Sequence, residues 1–139
     1  MEMFGYACQN SNIPLCYNGN LCSKEDIENF SRKYPQVQAV MLGRGLIGDP
    51  GMLCPGGTTA KVLESFLNEL FEQYCITFGS SRNAMFRMKE NWRHLFCRFE
   101  ENEKLQKRLR KAVDVADYKA VTAQILRNIP MRPKLQPDW

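Results

Sequence analysis

Histidine is nearly absent: His94 stands alone among 139 residues. Six cysteines are present, at 8, 16, 22, 54, 75 and 97, but no two stand as C-x-x-C. Zinc sites bring paired Cys or His ligands at short spacing, so no structural metal is expected. The cysteines read instead as reduced thiols, behaving as small hydrophobes. No apolar run approaches the roughly 20 residues of a membrane span. The start, Met-Glu-Met-Phe-Gly-Tyr-Ala-Cys, lacks both the basic opening and the long apolar stretch of a secretion signal. A cytoplasmic protein with no membrane partner is the expectation.

Apolar residues make up 44% of the chain, enough for a core, and charged residues 24%, ordinary for a soluble protein. The net charge of +4 is modest but unevenly spread. Residues 1–55 carry four Lys/Arg against five Asp/Glu, whereas residues 56–139 carry fifteen against ten. A basic half suits a polyanion, although charge of this size is also common on helical domains.

Two glycine loops follow hydrophobic runs. Asn18-Gly19-Asn20 comes after Ile13-Pro14-Leu15-Cys16-Tyr17, and Gly43-Arg44-Gly45 after Val37-Gln38-Ala39-Val40-Met41-Leu42. A helix from Ser23 to Tyr34 separates them, capped by Ser23 with Asp26 three positions on and closed by Pro35. Strands over 13–17 and 37–42 around this helix make a βαβ unit, with both loops on one edge of a parallel sheet. Glycine there permits tight turning and close backbone approach, and exposed N–H groups suit an anion. In (β/α)8 barrels the loops after the last two strands commonly hold a phosphate. A helix ends near residue 9, and a short helix or turn is expected over 45–53.

Beyond Cys54-Pro55-Gly56-Gly57, the clearest linker, the chain turns helical. Leu63, Phe66, Leu67, Leu70, Phe71, Tyr74 and Phe78 recur at three- and four-residue steps. A second helix over 82–99 stripes Met85, Met88, Trp92, Leu95, Phe96 and Phe99. A short basic helix over 102–112 turns Leu105 and Leu109 inward. Asp114 caps a fourth, with Tyr118, Val121, Ile125 and Ile129 inside, and prolines keep the tail extended. Two strands alone do not make a stable sheet, and parallel strands need cover on both faces. The expected fold is therefore α/β plus α, with the first 55 residues reading as the end of something larger and the second half as a small four-helix domain.

The segments Ile13–Asn20 with Ser23–Asp26, and Val40–Pro50, resemble the last two βα units of the tRNA-dihydrouridine synthases; the whole chain is covered by this resemblance. Met88-Lys89-Glu90-Asn91-Trp92-Arg93-His94-Leu95-Phe96 is similar to that family's helical domain. The resemblance implies a (β/α)8 TIM barrel carrying FMN, reduced by NADPH, with residues 1–56 as its C-terminal portion, and a four-helix domain over 57–139 that helps hold tRNA. It implies that Asn18, Gly19 and Asn20 lie along the flavin phosphate and ribityl chain. Gly43 and Arg44 would meet the phosphate through backbone N–H groups and the guanidinium, a planar donor set suited to a dianion. The family usually has Asp where Asn20 stands, so an acceptor is kept and a charge lost. The family's acid cysteine sits on a mid-barrel loop whose motif neither Cys16 nor Cys22 matches. No catalytic residue is assigned, and the chain by itself is expected to be inactive, its barrel completed by an N-terminal portion or a second chain.

On the helical wheel Arg82, Lys89 and Arg93 gather along one border of the apolar stripe. Arg87, His94 and Arg98 gather beyond the other. Lys104, Lys107, Arg108, Arg110 and Lys111 follow. With the resemblance, Arg82, Arg87, Lys89, Arg93, Arg98, Lys104, Lys107, Arg108 and Lys111 become the expected tRNA surface, contacting phosphates without reading sequence. A solvated face partly neutralised by Glu90, Glu100, Glu101 and Glu103 is the plain alternative. A non-enzymatic RNA-binding module is the rival function.

Overall fold

The computed structural model describes residues 1–138. It is mostly helical with one two-stranded parallel sheet. The order is α1 (Glu2–Asn10), β1 (Cys16–Asn18), α2 (Lys24–Lys33), β2 (Ala39–Met41), α3 (Arg44–Gly48), α4 (Ala60–Phe78), α5 (Ser81–Leu95), α6 (Glu103–Lys111) and α7 (Val115–Asn128), with a 3-10 turn at Phe96–Arg98. Among the described residues no helix is long and apolar enough to cross a membrane.

Local chemistry sets the helix starts. Ser23 Oγ accepts the Asp26 N–H at 3.0 Å, while the Asp26 carboxylate accepts the Cys22 N–H at 2.9 Å. This is a reciprocal cap displaced by one residue from the usual box. Thr59, Ser80, Asn102 and Asp114 cap α4, α5, α6 and α7, each side chain accepting the N–H three residues on. Each such cap contributes about 1 kcal/mol relative to alanine. Gly79, at φ +60°, ends α4.

β1 and β2 pair in the register Cys16↔Ala39, Tyr17↔Val40, Asn18↔Met41. Both strands are shorter than the apolar runs suggest, and Asn18 is the last residue of β1 instead of a loop residue. Tyr17 and Val40 point to the covered face, where Phe4 of α1, Phe30 of α2 and Tyr34 just after it close an aromatic cluster. Tyr17 stacks on Phe30 with ring centroids 4.3 Å apart. The opposite face, carrying Cys16, Asn18, Ala39 and Met41, is exposed. Among the described residues no third strand joins the sheet. A parallel pair covered on one side only is unusual.

The larger core belongs to α4–α7. Leu63, Leu67, Phe71, Met85, Met88, Trp92, Leu105, Leu109, Tyr118, Val121 and Ile125 meet there, and full burial of each large apolar side chain contributes about 1.5–3 kcal/mol. The Trp92 Nε1–H donates to the Tyr118 hydroxyl at 3.1 Å inside this core. Two members of the α4 stripe depart from the periodic reading: Phe66 and Phe78 are each 39% exposed. A helix face broader than its neighbours leaves its flanks wet. α5 also stops at Leu95, four residues earlier than its stripe suggests, because the chain tightens into the 3-10 turn. Phe99 then bridges Met131 in antiparallel fashion. The proline-rich tail is thus tied down, with Arg132 and Gln136 N–H groups donating to the Arg98 and Cys97 carbonyls.

The two cores are joined. α3 packs on α5, and Leu135 of the tail buries against Cys22 and Cys97. Beneath lies a polar hub. The Thr58 hydroxyl donates to Asp49 and accepts the Gly51 N–H at 2.8 Å, while Arg98 Nη1 lies 3.8 Å from the other Asp49 oxygen. Lys134 forms an exposed ion pair with Glu25.

Candidate functional site

Parallel pairing brings the carboxyl ends of β1 and β2 side by side, so the residues after each strand emerge on one edge. There Arg44 Nη2 donates to Asn20 Oδ1 at 3.3 Å, linking the two loops. Asn18, Asn20, Gly43 and Arg44 are all exposed. Gly43 is the N-cap of α3; an added Cβ there would meet nothing within 4 Å. It lines an apolar cleft of about 490 Å³ between α3 and the α4–α5 pair, whose polar members are Asn91 and Tyr74. The glycines on either side have internal reasons. A Cβ on Gly19 would fall 2.2 Å from the Tyr17 hydroxyl, and one on Gly45 would fall 2.5 Å from the Leu21 carbonyl oxygen. Gly45 is buried and lets α3 settle directly onto the β1–α2 loop.

The buried Cys22 thiol beneath these loops is pushed up in pKa by burial and by the neighbouring Asp26 carboxylate, partly offset by Arg44. It is held as a neutral thiol. All six cysteines are unpaired with one another, and among the described residues no cluster of His, Cys, Asp or Glu could hold a metal ion.

The basic side chains divide into several environments. Arg82, Arg93, Lys104 and Lys111 are exposed. Arg87 pairs with Glu90 on the same helix, and Lys107 with Glu103 at 2.8 Å. Arg108 Nη2 donates to Asp117 at 2.7 Å, bridging α6 to α7. Lys89 donates to the Ala112 carbonyl at 2.9 Å, at the end of α6, and its pKa is lowered by desolvation. Arg98 is the correction. It is buried, 9% exposed, and its charge faces Asp49. The wheel places Arg98 on an outer face because it extends the helix past Leu95; the 3-10 turn rotates it inward, so it forms no part of the exposed basic surface.

His94 couples the two regions. Desolvation lowers its pKa first, and the positive charges of Arg93 and Arg44 lower it further, against Asp138. Arg44 at the strand ends and Arg93 on α5 therefore both lie near this imidazole.

One contributor escapes a reading by apolar stripe. Phe86 is 43% exposed, with the Arg82 guanidinium 5.9 Å and the Lys89 ammonium 5.3 Å from its ring centroid. Its signal in the sequence is an aromatic off the stripe with cations at i−4 and i+3.

The fold sets a pair of loops at the ends of two parallel strands against a set of helices. The dihydrouridine synthase (Dus) family model matches residues 2–129, and the chain belongs to the dihydrouridine synthase family. That family consists of oxidoreductases that act on tRNA and are generally flavin-dependent. No curated protein and no solved structure matches the chain.

Proposed function

We propose that this chain serves an FMN-dependent, NADPH-linked tRNA-dihydrouridine synthase as the C-terminal part of its TIM barrel, over residues 1–56, joined to a tRNA-docking helical domain over 57–139. The observation that carries this reading is the Arg44–Asn20 hydrogen bond between loops at neighbouring parallel strand ends. The exposed face of the sheet supports it. In a closed barrel the residues alternating with Tyr17 and Val40 face the interior, and here Cys16, Asn18, Ala39 and Met41 are the ones left without cover.

The residues present fit the phosphate end of the flavin. The Gly43 and Arg44 N–H groups and the Arg44 guanidinium supply donors at an exposed edge, and the Gly43 position opens into free space. Asn18, Gly19 and Asn20 would run beside the phosphate and ribityl chain. When bound, the flavin supplies the hydride that reduces the uracil ring. This chain's part is to hold the phosphate and to position RNA; neither Cys16 nor Cys22 matches the family's acid-cysteine motif, so no proton-donating role is given to them.

Flavin fluorescence tests the proposal. FMN should bind more tightly than riboflavin, which lacks the phosphate, and Arg44→Met should erase the difference. Equal affinity of the unaltered chain for both flavins would overturn the phosphate cradle. Incubation with unmodified tRNA, FMN and NADPH should yield no dihydrouridine; product formed by this chain alone would refute the supporting role.

A further inference from the structure

We infer that the cleft between α5 and α6 is a seat for one unpaired RNA base, with Phe86 as its stacking wall. The inference rests on the tRNA reading above and deepens it, since phosphate contacts alone need no aromatic. The cleft has a volume of about 490 Å³, with Leu109 and Phe96 among its apolar lining and Arg93 and Arg110 among its cations. Leu109 is buried and Phe96 leans on Trp92 at 5.3 Å, so the base of the cleft is rigid.

Three features favour a base over a small anion or an apolar ligand. Phe86 lies outside the core and keeps much of its ring in solvent, at a cost in exposed apolar area that packing does not explain. Its ring is flanked by cations, and Lys89 is tethered to Ala112, which fixes one of them in place. The carboxylates at the cleft are already engaged: Glu90 by Arg87, and Asp138 by the Cys97 thiol at 3.3 Å. Lys89, Arg93 and Arg110 line the cleft against these two carboxylates, with Arg82 beside the Phe86 ring. An aromatic wall beside such cations is the arrangement that binds single-stranded nucleic acid, because every base has a π-face and every base carries a phosphate. Arg82 is the group a base would displace from the ring onto the adjoining phosphate.

The two contributions respond differently to salt, which makes the inference testable. Binding of an unmodified tRNA transcript is measured across a salt series for the full chain and its variants, with circular dichroism confirming the fold of each. Phe86→Ala should weaken binding about 5- to 160-fold, the range for loss of one stacked base, with the salt slope unchanged. Phe86→Trp should restore affinity and Phe86→Leu should not. Arg93→Gln should instead reduce the slope by roughly 0.7–0.9. If Phe86→Ala or Phe86→Leu binds like the unaltered chain while Arg93→Gln loses slope, the base seat is wrong and the phosphate-binding face stands. If the unaltered chain does not bind the transcript even at low salt, both readings fall.

Discussion

Removing Asp49 probes how the two cores are held together. Asp49 and Arg98 have side chains about 10% exposed and lie 3.8 Å apart. At an effective dielectric constant near 20 their attraction is about 4 kcal/mol, most of it offset by the cost of taking both charges out of water. The contact is a charge pair at the outer limit of contact, with no short hydrogen bond between the two groups. Arg98 Nε has no hydrogen-bond partner among the described residues. Asp49→Ala would strand the guanidinium charge and remove the acceptor of the Thr58 hydroxyl. Breaking such a buried pair costs about 3–5 kcal/mol, and the long separation puts the expectation near 3. Against a typical stability of about 5–15 kcal/mol, that is a large fraction. Asp49→Ala combined with Arg98→Met removes both charges and should lie within about 2 kcal/mol of the unaltered protein. Urea unfolding followed by tryptophan fluorescence, compared at equal m-value, measures each difference. A loss below about 1 kcal/mol for Asp49→Ala, or a double variant no more stable than the single one, would refute the reasoning.

Two further outcomes follow from particular contacts. Gly45→Ala would drive a Cβ to 2.5 Å from the Leu21 carbonyl, a backbone atom that cannot step aside, and should cost about 1–3 kcal/mol in chemical denaturation. Gly43→Ala meets nothing and should stay within about 0.5 kcal/mol. Tyr118→Phe would leave the Trp92 N–H without its acceptor and should cost about 1–3 kcal/mol at neutral pH. Because burial pushes the Tyr118 pKa from 10.0 up to about 12, the unfolded chain releases this proton first. The unaltered protein therefore loses stability as the pH rises through that window, and its advantage over Tyr118→Phe should narrow there.

Much of the chain was legible from local rules. Ser23, Ser80 and Asp114 cap helices because a short polar side chain reaches the N–H three residues on. Met85, Met88 and Trp92 face inward because 3.6-residue spacing puts them on one stripe. The strand–helix–strand order places two loops on one edge because parallel pairing requires it. These are properties of neighbouring residues, and the sequence determines them by itself. It also carries the family, through residues spread over most of the chain.

Tertiary structure decided what depends on distant partners. Arg98 looks like a surface cation until the turn after Leu95 buries it beside Asp49, a residue 49 positions earlier. Gly45 reads as a ligand-facing glycine, yet its missing side chain makes room for the Leu21 carbonyl. The strands are shorter than their apolar runs, both starting later, because only three residue pairs find register. The tail is fixed by Phe99 and Leu135, not by its prolines. Burial and charge pairing depend on three-dimensional proximity, which periodicity along one helix does not encode. That is why the strand–helix–strand order and the helix stripes were legible in the sequence, while only the fold separated the cations that face solvent from the one buried beside Asp49.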